Sequence, residues 1–337
     1  MKYLQKEISP YYTKHPKLNS SNAIMALING YFWKSISGPF LSFIFPLVIV
    51  AILGTTVGYS NAFPGAFLLG IIVIGLNVLP ATIADFKRSS LLKRISVTPI
   101  SPKRILVCIC GFYFMIMMLS TIFITAFTIL LFINHWSVGE SFKITDSQGE
   151  TNTITMPPLS KIFANVYWGG YIYSVIMTIL LSLTTGLMFA SLFKTPATIQ
   201  SVSVMMMIMV ILSSGIAVPN QLTRSSGLIW YGGYITPFKP IINTSFESWN
   251  GSYKVDWTGF EEVQPNWRNF TNLYGSNPFN FTQTFAIYAT LVMPGSGDIG
   301  PKTLLNIPEK IATLVLPFGW IIIEVIVILK KFKWTNR

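Results

Sequence analysis

Residues 35–84 read SISGPFLSFIFPLVIVAILGTTVGYSNAFPGAFLLGIIVIGLNVLPATIA, 50 consecutive positions without a Lys, Arg, Asp or Glu. A helix needs about 20 mostly apolar residues to cross the hydrocarbon core of a bilayer. This stretch therefore holds two crossings, expected at about 39–58 and 64–84, with Tyr59, Ser60 and Asn61 as the turn between them. Four more runs follow outward along the chain. A third crossing lies at about 105–134, a fourth within 162–193, a fifth at about 197–218 and a sixth at 311–329, the last interrupted by a single charge, Glu324.

The whole chain agrees with that reading. Of 337 residues, 51% are hydrophobic, 14% aromatic and 11% charged, and the mean hydropathy is +0.55. A soluble globular chain carries about a quarter charged residues, so a soluble enzyme, a disordered chain and a disulfide scaffold are excluded. The formal charge of +12 does not indicate nucleic acid, because the basic residues sit between apolar runs rather than on one face of a soluble domain. Cys108 and Cys110 lie two apart inside an apolar run and read as small core residues, not as a bridge. The start has Lys2 and Lys6 but then Pro10, His15 and Pro16 before any long apolar run, which is not a secretory signal pattern; the first crossing is expected to be retained.

Six crossings place both ends on one side. That side collects 16 of the 24 basic residues against two acids, Glu7 and Asp85, whereas the other side has eight basic and nine acidic residues. Short cytoplasmic loops retain Lys and Arg, so the expectation is a multi-pass protein of the cell membrane with both termini cytoplasmic. The expected fold class is all-α: a segment 1–38 with an amphipathic helix, a six-span domain 39–330, outer excursions at 135–161 and 219–310, and a tail 331–337. The apolar run 281–293 is too short to span and reads as re-entrant or interfacial.

Two segments on the basic side have helical apolar spacing. Over 22–37, Ile24, Met25, Leu27, Ile28, Tyr31, Phe32 and Ile36 gather on one face, with Trp33 the exception. An aromatic amphipathic helix of low charge suits the headgroup layer, with Ile24, Ile28, Tyr31 and Phe32 as its lipid-facing residues. In the loop 85–104, Phe86, Leu91, Leu92, Ile95 and Val97 alternate with six basic residues, and Pro99 and Pro102 end any helix. Such a helix fits either a solvated anchor or an insert into a groove on a soluble partner.

The loop resembles the coupling loop of type-2 ATP-binding-cassette (ABC) exporter permeases, through Asp85, Arg88, Leu91, Lys93, Arg94, Thr98, Pro99 and Ser101. Ser89 stands near where that family has glycine. A second similarity is the turn Leu212-Ser213-Ser214-Gly215-Ile216-Ala217-Val218-Pro219, then Leu222 and Ile235-Thr236-Pro237-Phe238, which resembles the family's passage into outer re-entrant helices. The residues from about 245 to 310 form an insert without a counterpart. The resemblance implies a permease subunit without ATPase chemistry, two such domains (identical or paralogous) enclosing a path, and a separate ATPase subunit that carries ATP and Mg. Asp85, Arg88, Leu91, Leu92, Lys93, Arg94, Ile95, Thr98 and Pro99 would couple to it.

The chemistry that is missing points the same way. No Gly-Lys pair exists, so there is no nucleotide-binding Gly-x-x-x-x-Gly-Lys-Ser/Thr loop, and the two histidines, His15 and His135, form no metal motif. No catalytic residue, metal or cofactor is expected on this chain. Gln200, Ser203, Ser213, Ser214 and Glu324 are candidates for a translocation path, with helix packing as the competing role. Asn243, Asn250, Asn269 and Asn280 each begin an Asn-x-Ser/Thr triplet, read as coincidence. Two other function classes stay open: a secondary transporter or channel, for which only Glu324 speaks, and a membrane anchor or sensor.

Overall fold

The computed structural model describes residues 20–56, 59–88, 102–138, 141–145, 151–155, 158–164, 166–217, 227–250 and 307–332. Six helices in it are long and apolar enough to cross a membrane: Ser37–Thr55, Phe63–Arg88, Arg104–Leu131, Trp168–Leu192, Pro196–Ser213 and Ile311–Lys331. This is the architecture of a multi-pass membrane protein, and the spans fall where the charge-free runs predicted them. One boundary moves. Tyr59, Ser60 and Asn61 are already helical, the start of Tyr59–Val73, so they are not a turn.

The second span is the hub. It is 89% buried, against 22% for the fifth and sixth spans, because its residues are large and apolar around most of its circumference: Phe63, Phe67, Leu68, Leu69, Ile71, Ile72, Ile74 and Leu76 are all inaccessible. A helix that is apolar all round is one that is surrounded. The first, third, fourth and fifth spans pack on it, and the sixth packs on the fourth.

The second and fourth spans meet backbone to backbone. There the second span loosens into a π-helical segment, Ile74–Val78, and Gly75 faces Gly186 and Ser182: a Cβ added to Gly186 would stand 2.2 Å from the Gly75 carbonyl oxygen, and one added to Gly75 would stand 2.3 Å from Ser182 Cβ. Small residues let backbones approach where lipid supplies no hydrophobic drive for helices to associate. A second π segment, Phe40–Ile44, lies in the first span and touches the first one; there Ser120 Oγ of the third span donates to the Ser42 carbonyl at 2.5 Å.

The N-terminal helix runs Ser20–Lys34 and packs on the third span. Ile24, Ile28 and Phe32 are buried, Phe32 edge-on to Phe112 and Tyr113 with centroids 5.6 and 6.3 Å away. The predicted apolar face is thus largely a packing face. Ile36, placed on it by spacing, is 89% exposed, because the helix breaks after Lys34 and restarts at Ser37. Trp33, the predicted exception, is half exposed and stacks on Phe43.

Two features depart from the all-helical expectation or its boundaries. Within 135–161 an antiparallel hairpin pairs Ser141–Thr145 with Thr151–Thr155, Ile144 opposite Asn152, followed by the short helix Leu159–Ala164. Ser-Phe-Lys-Ile-Thr and Thr-Asn-Thr-Ile-Thr are rich in β-branched residues with period-two alternation, a signal that a search for spanning runs passes over. The supposed insert from 245 begins inside the bundle: the helix Lys239–Asn250 packs against the second, fourth and sixth spans. Trp249 seats it among Phe67, Phe163 and Tyr171 at 5.1–5.6 Å, and Ser245 Oγ donates to the Pro64 carbonyl at 2.6 Å. Asn243 in this helix is inaccessible, so its triplet is no glycan acceptor; Asn269, Asn280 and the run 281–293 lie outside the described residues.

Candidate functional site

Among the residues predicted to couple, Asp85 and Arg88 are described; Leu91, Leu92, Lys93, Arg94, Ile95, Thr98 and Pro99 lie outside the described residues. What is described is the base of that loop, the last two turns of the second span, and it is anchored on several sides. Thr82 Oγ1 donates to the Val78 carbonyl at 2.9 Å and shares a 2.6 Å hydrogen bond with Tyr113 OH of the third span. Tyr31 OH of the N-terminal helix donates to Asp85 Oδ2 at 2.7 Å, and its ring lies 5.0 Å from that of buried Phe86. Burial, then the hydrogen bond to and charge of Asp85, push the Tyr31 hydroxyl up to about 12. The phenol remains a donor at neutral pH; the tie is complete below about pH 10 and is lost as pH rises toward 12.

One residue further on, Lys87 turns the other way. Its Nζ donates to the Ala190 carbonyl at 2.6 Å and stands 4.7 Å from the centre of the Phe332 ring. Ala190 belongs to the last turn of the fourth span, Trp168–Leu192. Final-turn carbonyls have no partner within their helix and carry the negative end of its dipole, so an ammonium is the fitting cap. Phe332 directly follows the sixth span. Arg88, next in sequence, is exposed.

The path candidates divide into two groups. Glu324 is 1% exposed, and its carboxylate accepts from Thr184 Oγ1 and, at 2.7 Å, from Thr185 Oγ1 of the fourth span. Consecutive threonines on one helix holding a carboxylate from another form a polar seam between the fourth and sixth spans, of the kind that intramembrane ionisable groups require. Spacing along the sixth span alone gave Glu324 no partner; a Thr-Thr pair in a facing span was the missed signal. Of the other four, three lie on the fifth span and Ser214 caps its end. Gln200 is exposed; Ser203 is inaccessible, and its Oγ has no hydrogen-bond partner among the described residues. Ser213 Oγ is in the same condition, and Ser214 Oγ donates to the Val210 carbonyl. Gly215 follows with φ +90°, the one positive φ among the described residues, and turns the chain out of the fifth span. Among the described residues no hydrogen bond joins any of these four to Glu324.

Glu324 also gives a stability test. Glu324→Gln retains the shape and an acceptor and should leave thermal unfolding in detergent nearly unchanged. Glu324→Ala loses both hydrogen bonds and opens a cavity, at a cost of about 2 kcal/mol. Equal damage from the two would show that shape and hydrogen bonding are not what Glu324 supplies.

Elsewhere in the bundle lies a buried cation that sequence reasoning passed over. Lys239, at the start of the helix Lys239–Asn250, is inaccessible; its Nζ donates to the Trp230 carbonyl at 2.7 Å and sits 4.2 Å from the centre of the Trp230 ring. Tyr234 accepts from Asn243 Nδ2 at 3.2 Å. These contacts tie Gly227–Gly232 and the following turn Gly233–Ile235 to the helix Lys239–Asn250. Among the described residues no group of three His, Cys, Asp or Glu is placed to hold a metal. Comparison with protein-family models, with curated proteins and with solved structures returns no match for this chain.

Proposed function

We propose that this chain is the permease subunit of an ABC exporter of the cell membrane, with its termini cytoplasmic. It moves substrate by alternating access driven by a separate ATPase subunit, and it works with a second permease copy or paralogue. The observation that carries the reading is the base of the loop. A basic, apolar-interleaved segment leaves a span that is the hub of the bundle, and its last two turns are pinned to the N-terminal helix and to three other spans. A lever needs a stiff attachment, since a partner can shift the bundle's equilibrium only if it contacts the two states differently. The basic-residue asymmetry, the resemblance of 85–104 to a coupling loop, and the absence of a nucleotide-binding loop support the same reading.

Lipid headgroups would meet the N-terminal helix through its exposed Leu27 and Trp33, with exposed Ile36 in the break that follows it. The decisive experiment replaces Leu91, Leu92 and Ile95 together by Asp and asks whether an ATPase subunit still co-purifies from native membranes. The proposal expects its loss, with normal membrane insertion of this chain; undiminished co-purification would overturn the docking role of the segment.

A further inference from the structure

Resting on the permease reading, we propose that Lys87 is the positioning residue that delivers movement of the 85–104 segment to the fourth and sixth spans. The second and third spans are joined to that segment by the chain itself; the fourth and sixth are not, and besides the packing of the fourth span on the second and third they are reached, among the described residues, through side-chain contacts at the segment's base. Lys87 supplies these contacts. A single ammonium takes the final-turn carbonyl of Ala190 at 2.6 Å on one side and the face of Phe332, 4.7 Å away, on the other. It therefore gathers the ends of the second, fourth and sixth spans at one point. Both contacts are charge-assisted and partly shielded from water, which strengthens them.

Asp85, two residues earlier, holds the N-terminal helix through Tyr31. The final turn of the second span thus holds the N-terminal helix through one residue and the ends of the fourth and sixth spans through another, with buried Phe86 between them in sequence. Further from the base, the fourth and sixth spans are joined by Glu324 with Thr184 and Thr185. A pull on Lys87 therefore moves the two spans as a pair.

The test uses the chain purified from native membranes with its associated subunits, in lipid nanodiscs. Cys108 and Cys110 are replaced by Ala, and spin labels are placed at Leu192 and Lys331, both exposed. In the parent protein a narrow Leu192–Lys331 distance distribution is expected, shifting when MgATP and orthovanadate are added. Lys87→Met keeps an unbranched stem as far as the ε position but neither charge nor donor. It should broaden the distribution and abolish the nucleotide-driven shift while phosphate release, assayed without orthovanadate, continues, and Lys87→Arg should restore both the width and the shift. A distribution equally narrow in Lys87→Met shows that the clasp does not hold the span ends and overturns the inference. A broadened distribution that still shifts in full overturns the transmission role. A parent protein with the narrow distribution but neither bound ATPase nor shift defeats the permease reading, and the transmission role with it, while the clasp is judged by the width alone.

Discussion

Gly186→Ala is expected to destabilise the protein by about 3 kcal/mol, the upper part of the range for overpacking a filled interior. The added carbon would stand 2.2 Å from the Gly75 carbonyl oxygen and 3.3 Å from its carbon, and both obstacles are backbone. A flexible side chain would swing away; a backbone carbonyl in a helix moves only with the helix. The second and fourth spans must therefore separate along the contact that holds the hub. Two substitutions serve as internal controls. A Cβ at Gly111 in the third span or at Gly319 in the sixth meets nothing within 4 Å, so Gly111→Ala and Gly319→Ala should be neutral or gain up to about 1 kcal/mol from helix propensity. Thermal unfolding followed by size-exclusion chromatography in detergent ranks all three. Should Gly186→Ala behave as Gly111→Ala does, the close approach of the two spans is wrong.

Phe32→Ala should release the N-terminal helix. Phe32 is 1% exposed, edge-on to Phe112 and Tyr113, and truncating a buried phenylalanine costs about 3–5 kcal/mol. Much of that cost falls on the attachment of a single helix, so the open population should rise by about two orders of magnitude, at 1.4 kcal/mol per tenfold. Lys34, exposed at the end of this helix, is the one tryptic site between Lys17 and Lys87. Limited proteolysis should cut there far faster in Phe32→Ala than in the parent, and hardly faster in Trp33→Ala, since Trp33 is half exposed. An unchanged cleavage rate at Lys34 in Phe32→Ala would mean that this side chain does not fasten the helix.

The two aromatic neighbours also show how far spacing alone reaches. At 100° per residue Phe32 belongs to the apolar face and Trp33 does not, and the structure agrees on both. Spacing did not reveal what the face meets. Lipid was the expected neighbour, yet Ile24, Ile28 and Phe32 pack against the third span. An apolar stripe states only that water is excluded, and in a membrane protein lipid and protein exclude it alike. The same ambiguity covers Glu324: the sequence marks a charge that needs a partner, and only folding brings Thr184 and Thr185 from 140 and 139 positions away.

The sequence by itself determined the six crossings, because the hydrocarbon thickness sets a minimum length of uncharged chain that is countable without coordinates. It also marked the basic loop as the chemically distinctive segment, since charges clustered between apolar runs are legible one residue at a time. Only the tertiary structure decided which span lies at the centre, how Gly75 and Gly186 let two backbones meet, and that Asp85 and Lys87 grip different helices. Those outcomes depend on which faces of six similarly apolar helices are paired, and apolar residues, being interchangeable to water and lipid, do not name their neighbours.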